Sequence, residues 1–128
     1  MKIDHVALYC LDLEGMKEFF IRYFNGVSNE MYHNPKTGLK TCILSFQDSD
    51  ARLELMTRPE VVNEEENIYR QGLIHLSFSV GSKEKVDSLT KVLTEDSYQV
   101  LSGPRTTGDG YYESCIVGPE KILIEITI

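Results

Sequence analysis

The 128-residue sequence contains no tryptophan, only four prolines and three cysteines, and no apolar run longer than a few residues. The short apolar runs argue against a membrane-spanning helix, and the N-terminus lacks a signal-peptide pattern, so we expect a cytoplasmic protein. Cys10, Cys42 and Cys115 are widely spaced and form no CxxC pair, which argues against a disulfide framework or a thiolate zinc site. We expect three reduced, half-buried strand residues.

Basic residues are also scarce, with 13 Lys and Arg against 20 Asp and Glu and a net charge of −7. Duplex nucleic acid and anionic membranes bind basic patches that replace their counterions, so neither is an expected partner. A small molecule is the expected partner. The length and the hydrophobic content of 41% suit one compact domain with a real core.

The sequence repeats one layout twice. IDHVALYCLDLEGMKEFF (3–20) and LIHLSFSVGSKEKVDSLT (73–90) both read as strand, polar turn and helix, with His5 and His75 at the same place. RLEL (52–55) and LIEI (123–126) correspond in the same way, with Glu54 49 residues after His5 and Glu125 50 residues after His75. We therefore predict modules 1–58 and 72–128, joined by an acidic linker at about 59–71.

Each module is predicted to be a βαβββ unit, which makes the domain α+β. Apolar residues at helical spacing indicate one helix at 14–24 and a second that begins after Ser82 as N-cap. Their core-facing residues are predicted to be Met16, Phe19, Phe20, Tyr23 and Phe24 in the first helix, and Val86, Leu89, Val92 and Leu93 in the second. The predicted strands are 2–10, 27–33, 39–47, 51–57, 72–80, 97–102, 111–117 and 121–128.

Strand alternation places one His and one Glu of each module on the face away from its helix. Ile74, Leu76, Phe78 and Val80 share a predicted apolar face, and His75 points to the opposite one. Glu125 likewise lies on the face opposite the isoleucines of its strand, and Glu54 lies opposite the leucines of its strand. His5 is also on the face opposite the more apolar one. Taken singly, each is explained as an exposed strand position or a structural histidine.

The matched pairs together favour a metal site. Two carboxylates brought together repel each other, and their burial without partners is costly. A divalent cation removes both problems, because His5, Glu54, His75 and Glu125 form an N₂O₂ ligand set. This set suits Zn²⁺, Ni²⁺, Fe²⁺ or Mn²⁺ and leaves positions for water or substrate.

Four segments of the sequence together resemble the vicinal oxygen chelate superfamily of glyoxalases, bleomycin-resistance proteins and dioxygenases. They are IDHVALYC with His5, RLELM with Glu54, GLIHLSFSV with His75 and ILIEI with Glu125. The complete ligand set is similar to that of bacterial glyoxalase I, since the dioxygenases and fosfomycin enzymes lack the ligand at Glu54. The resemblance implies a curved mixed sheet around a cleft and a metal-stabilised enediolate. It also implies a carboxylate base, Glu54 or Glu125.

The sequence departs from glyoxalase I around this site. Tyr9 stands where the family usually has an Arg for the glutathione carboxylate, and the usual Asn after the first metal Glu is missing, although Arg58 lies nearby. GPEK (118–121) replaces the familiar DPDG. Whether glutathione is used therefore stays open. Arg52 shares a face with Glu54 and is expected either to bind a substrate anion or, more favoured, to pair with an acidic neighbour.

The resemblance implies a lyase or isomerase similar to lactoylglutathione lyase that acts on a small α-oxo or α-hydroxy carbonyl compound. Dioxygenase, epimerase and thiol transferase activities on the same scaffold remain alternatives, as does a non-catalytic module that binds a small molecule. We expect a homodimer with its sites at the interface. GDGY (108–111) reads either as a loop beside the site or as a plain hairpin turn, and His33 as a surface residue.

Overall fold

The computed structural model describes residues 1–63 and 71–128. The chain divides into two compact units, Met1–Glu65 and Glu66–Ile128, each with one sheet and one principal helix. This confirms the predicted α+β class. The acidic run 64–66 and most of the predicted linker lie outside the described residues. Within the described ranges, no helix is long and apolar enough to cross a membrane.

The first unit combines a mixed sheet with one helix. The sheet has the order β1-β5-β4-β2, with β3 paired to β4, and only β1 and β5 run parallel. The elements are β1 (His5–Tyr9), α1 (Leu13–Phe24), β2 (Val27–Ser28), β3 (Tyr32–His33), β4 (Lys40–Ser45) and β5 (Arg52–Thr57).

The second unit repeats this connectivity. Its sheet has the order β6-β9-β8-β7, with β6 and β9 parallel and the other pairs antiparallel. The elements are β6 (His75–Ser79), α2 (Lys83–Glu95), β7 (Gln99–Thr106), β8 (Tyr112–Val117), a 3₁₀ turn (Pro119–Lys121) and β9 (Leu123–Thr127). In both units the first strand lies beside the last, so residues about 50 positions apart become neighbours.

The helices begin and pack largely as the sequence predicts. The predicted stripe of α1 is buried except for the half-buried Tyr23, and Asn25 ends the helix in the left-handed region at φ 53°. In α2, Ser82 accepts a hydrogen bond from the backbone N–H of Lys85 at 3.3 Å. Val92, predicted to face the core, is 44% exposed.

The inward stripe of α2 agrees with the prediction at Val86 and Leu93 and includes Thr90 in place of Val92. Val86, Thr90 and Leu93 are its buried residues. A helix turns about 100° per residue, so the spacing i, i+4, i+7 keeps these three on one line and leaves Val92 to the side. The hydroxyl of Thr90 donates to the carbonyl oxygen of Val86 at 2.7 Å and lies 2.6 Å from the Ser114 hydroxyl, which makes a polar residue acceptable there.

Two strand predictions also need correction. The predicted strand 27–33 is two short strands, because Asn29 interrupts it and its side-chain oxygen accepts from the backbone N–H of Ile43 at 2.7 Å. Ile74, predicted to face the core with Leu76, lies just before β6 and is 55% exposed. Cys10 and Cys42 are fully buried instead of half-buried, and Cys115 is half-buried; these three cysteines form no disulfide.

The strand parity that matters for the site is as predicted. Leu53 and Leu55 are buried on one face of β5, and Ile124 and Ile126 are buried on one face of β9. Because successive side chains of a strand alternate, Glu54 and Glu125 lie on the opposite faces of these strands. Each unit therefore packs its helix on one face of its sheet and carries its glutamate on the other.

Candidate metal centre

In the first unit, the parallel pairing of β1 and β5 brings His5 and Glu54 together. The backbone register pairs His5 with Arg52 and Ala7 with Glu54, so the two side chains lie diagonally across adjacent strands. His5 Nε2 is 3.6 Å from Glu54 Oε2, and the two side chains are 43% and 20% exposed. The pair is thus accessible to a small ligand.

The second unit repeats the arrangement with His75 and Glu125. β6 and β9 pair His75 with Leu123 and Ser77 with Glu125, which is the same diagonal step. His75 Nε2 is 3.5 Å from Glu125 Oε2, and the side chains are 35% and 18% exposed. The two predicted pairs therefore have the same geometry, each within its own unit.

A hydroxyl group holds the second oxygen of each glutamate. The Thr41 hydroxyl donates to Glu54 Oε1 at 2.9 Å, and the Ser77 hydroxyl donates to Glu125 Oε1 at 2.6 Å. In both carboxylates Oε2 remains directed towards the histidine. The sequence reasoning missed both hydroxyls, since Thr41 comes from β4 and Ser77 from β6 and only the strand register identifies them.

His5 has a further polar neighbour that the sequence reasoning also missed. His5 Nδ1 lies 2.9 Å from Asp4 Oδ2, and Arg52 Nη2 donates to the same oxygen at 2.5 Å. Arg52 thus makes an ion pair with an acidic neighbour, the role favoured over substrate binding. The hydrogen bond from His5, followed by that from Arg52, lowers the pKa of Asp4.

The geometry of the two pairs suits a divalent cation. The nitrogen–oxygen distances of 3.6 and 3.5 Å exceed the usual N–H···O hydrogen bond. Two donors on one tetrahedral ion, each about 2.1 Å from it, lie roughly 3.4 Å apart, and imidazole and carboxylate are ligands of Zn²⁺, Ni²⁺, Fe²⁺ and Mn²⁺. Among the described residues, 1–63 and 71–128, no group of three or more His, Cys, Asp or Glu side chains is arranged to hold a metal ion.

Two side chains of β8 join the face of Glu125. Cys115 is directly opposite Glu125 in the register, and Glu113 lies two residues earlier, at the position that Thr41 has in the first unit. Burial, followed by the charge of Glu125, raises the pKa of both Glu113 and Cys115. The even spacing of Glu113 and Cys115 was the only signal for them in the sequence.

Tyr9 lies further along β1 from His5, and Arg58 directly follows β5, the strand of Glu54. With Glu60, Val61 and Val62 they line an open cavity of about 400 Å³. Arg58 holds the Glu60 carboxylate with two hydrogen bonds, Nε–Oε2 at 2.7 Å and Nη2–Oε1 at 3.1 Å. The Glu60 carboxylate, and after it the Tyr9 hydroxyl, raise the pKa of Arg58 above its ordinary value. The structure thus brings together two of the three predicted substrate residues.

The remaining predicted features have structural explanations. Residues 107–111 form a hairpin turn, in which the backbone N–H of Thr107 donates to the carbonyl oxygen of Tyr111 at 2.8 Å and the Thr107 hydroxyl accepts from the backbone N–H of Tyr111 at 3.0 Å. GDGY is therefore a hairpin turn. His33 is exposed in β3, as predicted.

Fold and sequence together define the class of protein. Residues 2–126 match the family model described as the Glyoxalase/Bleomycin resistance protein/Dioxygenase superfamily, and the chain belongs to this family. It is also similar to the uncharacterized protein YqjT of Bacillus subtilis (strain 168). The two are 30% identical over 128 residues, which span 97% of this chain and 96% of YqjT.

Solved structures with the same fold include a glyoxalase I and a fosfomycin resistance protein. The trypanothione-dependent glyoxalase I of Leishmania major has a TM-score of 0.78 and 15% identity, covering 99% of this chain and 86% of that one. The fosfomycin resistance protein FosX of Listeria monocytogenes, in complex with Mn(II) and a dihydroxypropylphosphonic acid, has a TM-score of 0.75 and 16% identity, covering 98% and 90%. At this level of identity the likeness establishes the fold alone.

Proposed function

We propose that the protein is a metal-dependent lyase or isomerase of glyoxalase I type, acting on a small α-oxo or α-hydroxy carbonyl compound. His5, Glu54, His75 and Glu125 are the proposed ligands of one divalent ion. The observation that carries the proposal is the duplicated pair, with the same nitrogen–oxygen separation of 3.6 and 3.5 Å in the two units. A structural histidine or a solvated glutamate gives no reason for such a match.

The bound metal would supply Lewis-acid stabilisation for negative charge that develops on two neighbouring substrate oxygens. The chain's own residues supply the rest of the chemistry. A nearby carboxylate would take a proton from one substrate carbon and return it to the neighbouring carbon, and Glu54 and Glu125 are both candidates for this base. Thr41 and Ser77 keep one oxygen of each carboxylate in place and leave the other free to bind or to accept the proton.

The cavity at Tyr9 and Arg58 is the proposed site for the far end of the substrate. Tyr9 lies four residues after His5 and Arg58 four residues after Glu54, which corresponds to roughly 13 Å along a strand. A guanidinium at that distance suits a carboxylate or phosphate at the other end of a small substrate. Glu60 holds this guanidinium in the free protein, so an anionic substrate would have to displace it.

We further propose a cytoplasmic homodimer in which each site combines the pair of one unit with the pair of the other unit from the partner copy. The supporting observation is that each unit by itself provides one pair of candidate ligands, both partly exposed. Sites that combine pairs within one chain are the alternative. Closed twofold symmetry is the commonest arrangement of soluble oligomers and would form two equal sites.

Elemental analysis of the purified protein, followed by an assay with methylglyoxal, tests the function. We expect about one divalent ion per site, and a thioester product if glutathione is added, or lactate formed from hydrated methylglyoxal without it. Glu125→Gln should lose most of the metal, whereas Glu95→Gln, which changes an exposed glutamate of α2, should retain it. Absence of metal from the wild type, or an unchanged metal content in Glu125→Gln, would refute the proposal. Oxygen consumption with Fe²⁺ would favour a dioxygenase.

Co-expression of two inactive variants tests the shared site. Neither His5→Ala nor Glu125→Gln should be active alone. If sites are shared across the interface, each mixed dimer contains one intact site and one doubly altered site, so roughly a quarter of the wild-type activity should return. If the sites lie within single chains, no activity returns.

A further inference from the structure

We propose that Asp4, anchored by Arg52, positions His5 as a metal ligand by holding its ring proton on Nδ1. Asp4 and Arg52 are then positioning residues, which act through His5. The inference deepens the proposed function, but its central claim concerns the tautomer of one histidine in the metal-free protein. It therefore stands or falls independently of the metal.

The distances around the His5 ring indicate where its proton lies. Nδ1 is 2.9 Å from Asp4 Oδ2, a normal hydrogen-bond length, whereas Nε2 is 3.6 Å from Glu54 Oε2. A carboxylate only accepts hydrogen bonds, so the Nδ1 contact requires a proton on that nitrogen. Nε2 then carries its lone pair on the side of Glu54, which is the arrangement a metal ion needs.

Arg52 keeps Asp4 in the orientation that this hydrogen bond requires. Its side chain donates to Oδ2 of Asp4 at 2.5 Å, and its backbone N–H donates to the carbonyl oxygen of Asp4 at 3.0 Å. Two contacts from one residue thus restrain both the backbone and the carboxylate of Asp4. Because Arg52 is also the register partner of His5, the three residues meet at one end of the β1–β5 pair.

The second unit differs at these two positions. Ile74 precedes His75 where Asp4 precedes His5, and Leu123 is the register partner of His75 where Arg52 is that of His5. Each glutamate accepts a hydrogen bond from a hydroxyl group, that of Thr41 in β4 for Glu54 and that of Ser77 in β6 for Glu125. The two pairs therefore differ. His5 has a neighbouring carboxylate, an arrangement that often orients metal-binding histidines, whereas His75 follows Ile74.

The tautomer can be measured by long-range ¹H–¹⁵N correlation of the histidine rings in metal-free protein, at a pH where the imidazoles are neutral. We expect His5 to carry its proton on Nδ1 in the wild type and to move towards the Nε2–H form in Asp4→Ala. Asp4→Asn retains an acceptor oxygen and should remain closer to the wild type. His75 should keep its signals throughout and serves as the internal reference.

Asp50→Ala provides the matched control, because Asp50 is an exposed acid of the same unit that pairs with Lys2 at 3.4 Å. It removes the same charge and should leave the His5 tautomer unchanged. In a second measurement, Asp4→Ala should weaken Zn²⁺ affinity 10- to 100-fold, as outer partners of metal ligands typically do. An Nε2–H tautomer in the wild type, or an unchanged tautomer in Asp4→Ala, would overturn the inference even if metal binding is intact. A wild type that binds no metal would refute the proposed function and the ligand role of His5, but not the tautomer.

Discussion

Replacement of Thr41 by valine is a sharp test of how the glutamates are held. The change removes the hydroxyl that donates to Glu54 Oε1 at 2.9 Å and retains the β-branched shape that suits strand β4. The Glu54 side chain is then free to rotate, so metal binding must also offset the conformational entropy that this side chain loses when it becomes ordered. We expect weaker metal binding with little change in the fold.

The magnitude follows from the kind of hydrogen bond that is lost. A hydrogen bond to a charged group contributes about 1.5–3 kcal/mol. The Glu54 side chain is 20% exposed, so water replaces part of this and the lower end applies. A loss of about 1.4 kcal/mol corresponds to a tenfold higher Kd for the metal. Ser77→Ala should cost less, because it leaves room for a water molecule to bond Glu125.

Competition with a chromophoric chelator measures the metal affinity. Thr41→Ser keeps the hydroxyl and should stay within about threefold of the wild-type Kd, whereas Thr41→Val should raise it roughly tenfold. Chemical denaturation of the metal-free variants checks that the fold is retained. A Thr41→Val protein with the wild-type Kd, measured beside a Glu54→Gln protein that binds no metal, would refute the idea that the hydroxyl positions the ligand.

Two further predictions concern stability. Thr90→Val leaves the buried Ser114 hydroxyl without its Thr90 partner and should lower the free energy of unfolding by about 1–3 kcal/mol. Adding Ser114→Ala to this variant should restore part of the loss. If denaturant unfolding shows that the effects of the two changes are additive, this prediction is wrong. Burial and the charge of Glu125 raise the pKa of Glu113, so the folded state holds this proton more tightly than the unfolded state. Stability should therefore fall as pH rises from the ordinary Glu value of 4.5 through the raised pKa. Glu113→Gln should remove that fall and stabilise the protein at pH 7 by less than about 1 kcal/mol; Tm values from pH 4 to 8 that keep the wild-type dependence would refute it.

Local patterns account for the parts of the fold that the sequence predicts well. The stripe from Met16 to Phe24 and the alternation around Glu125 depend only on residues within one element, where the period of the helix or strand decides what is buried. Val92 shows the limit of this reasoning. Its apolar character suggests a core position, but Thr90 is buried on the inward face instead, where its hydroxyl meets that of Ser114 from another element.

The candidate site divides along the same line. Duplication and strand parity sufficed to select His5, Glu54, His75 and Glu125, because both signals lie in the order of residues along the chain. Parity says which face a side chain occupies, but not which residue of a neighbouring strand lies beside it. That depends on register, which is set by the pairing of distant segments.

The sequence by itself therefore determined the repeated module, the helices that cover one face of each sheet and the four proposed ligands on the other. Only the tertiary structure decided that Thr41 and Ser77 hold the glutamates and that Asp4 and Arg52 hold His5. The physical reason is the range of the interactions. Burial patterns repeat within one helix or strand, whereas a hydrogen bond between Arg52 and Asp4 joins residues 48 positions apart and exists only once the strands have paired.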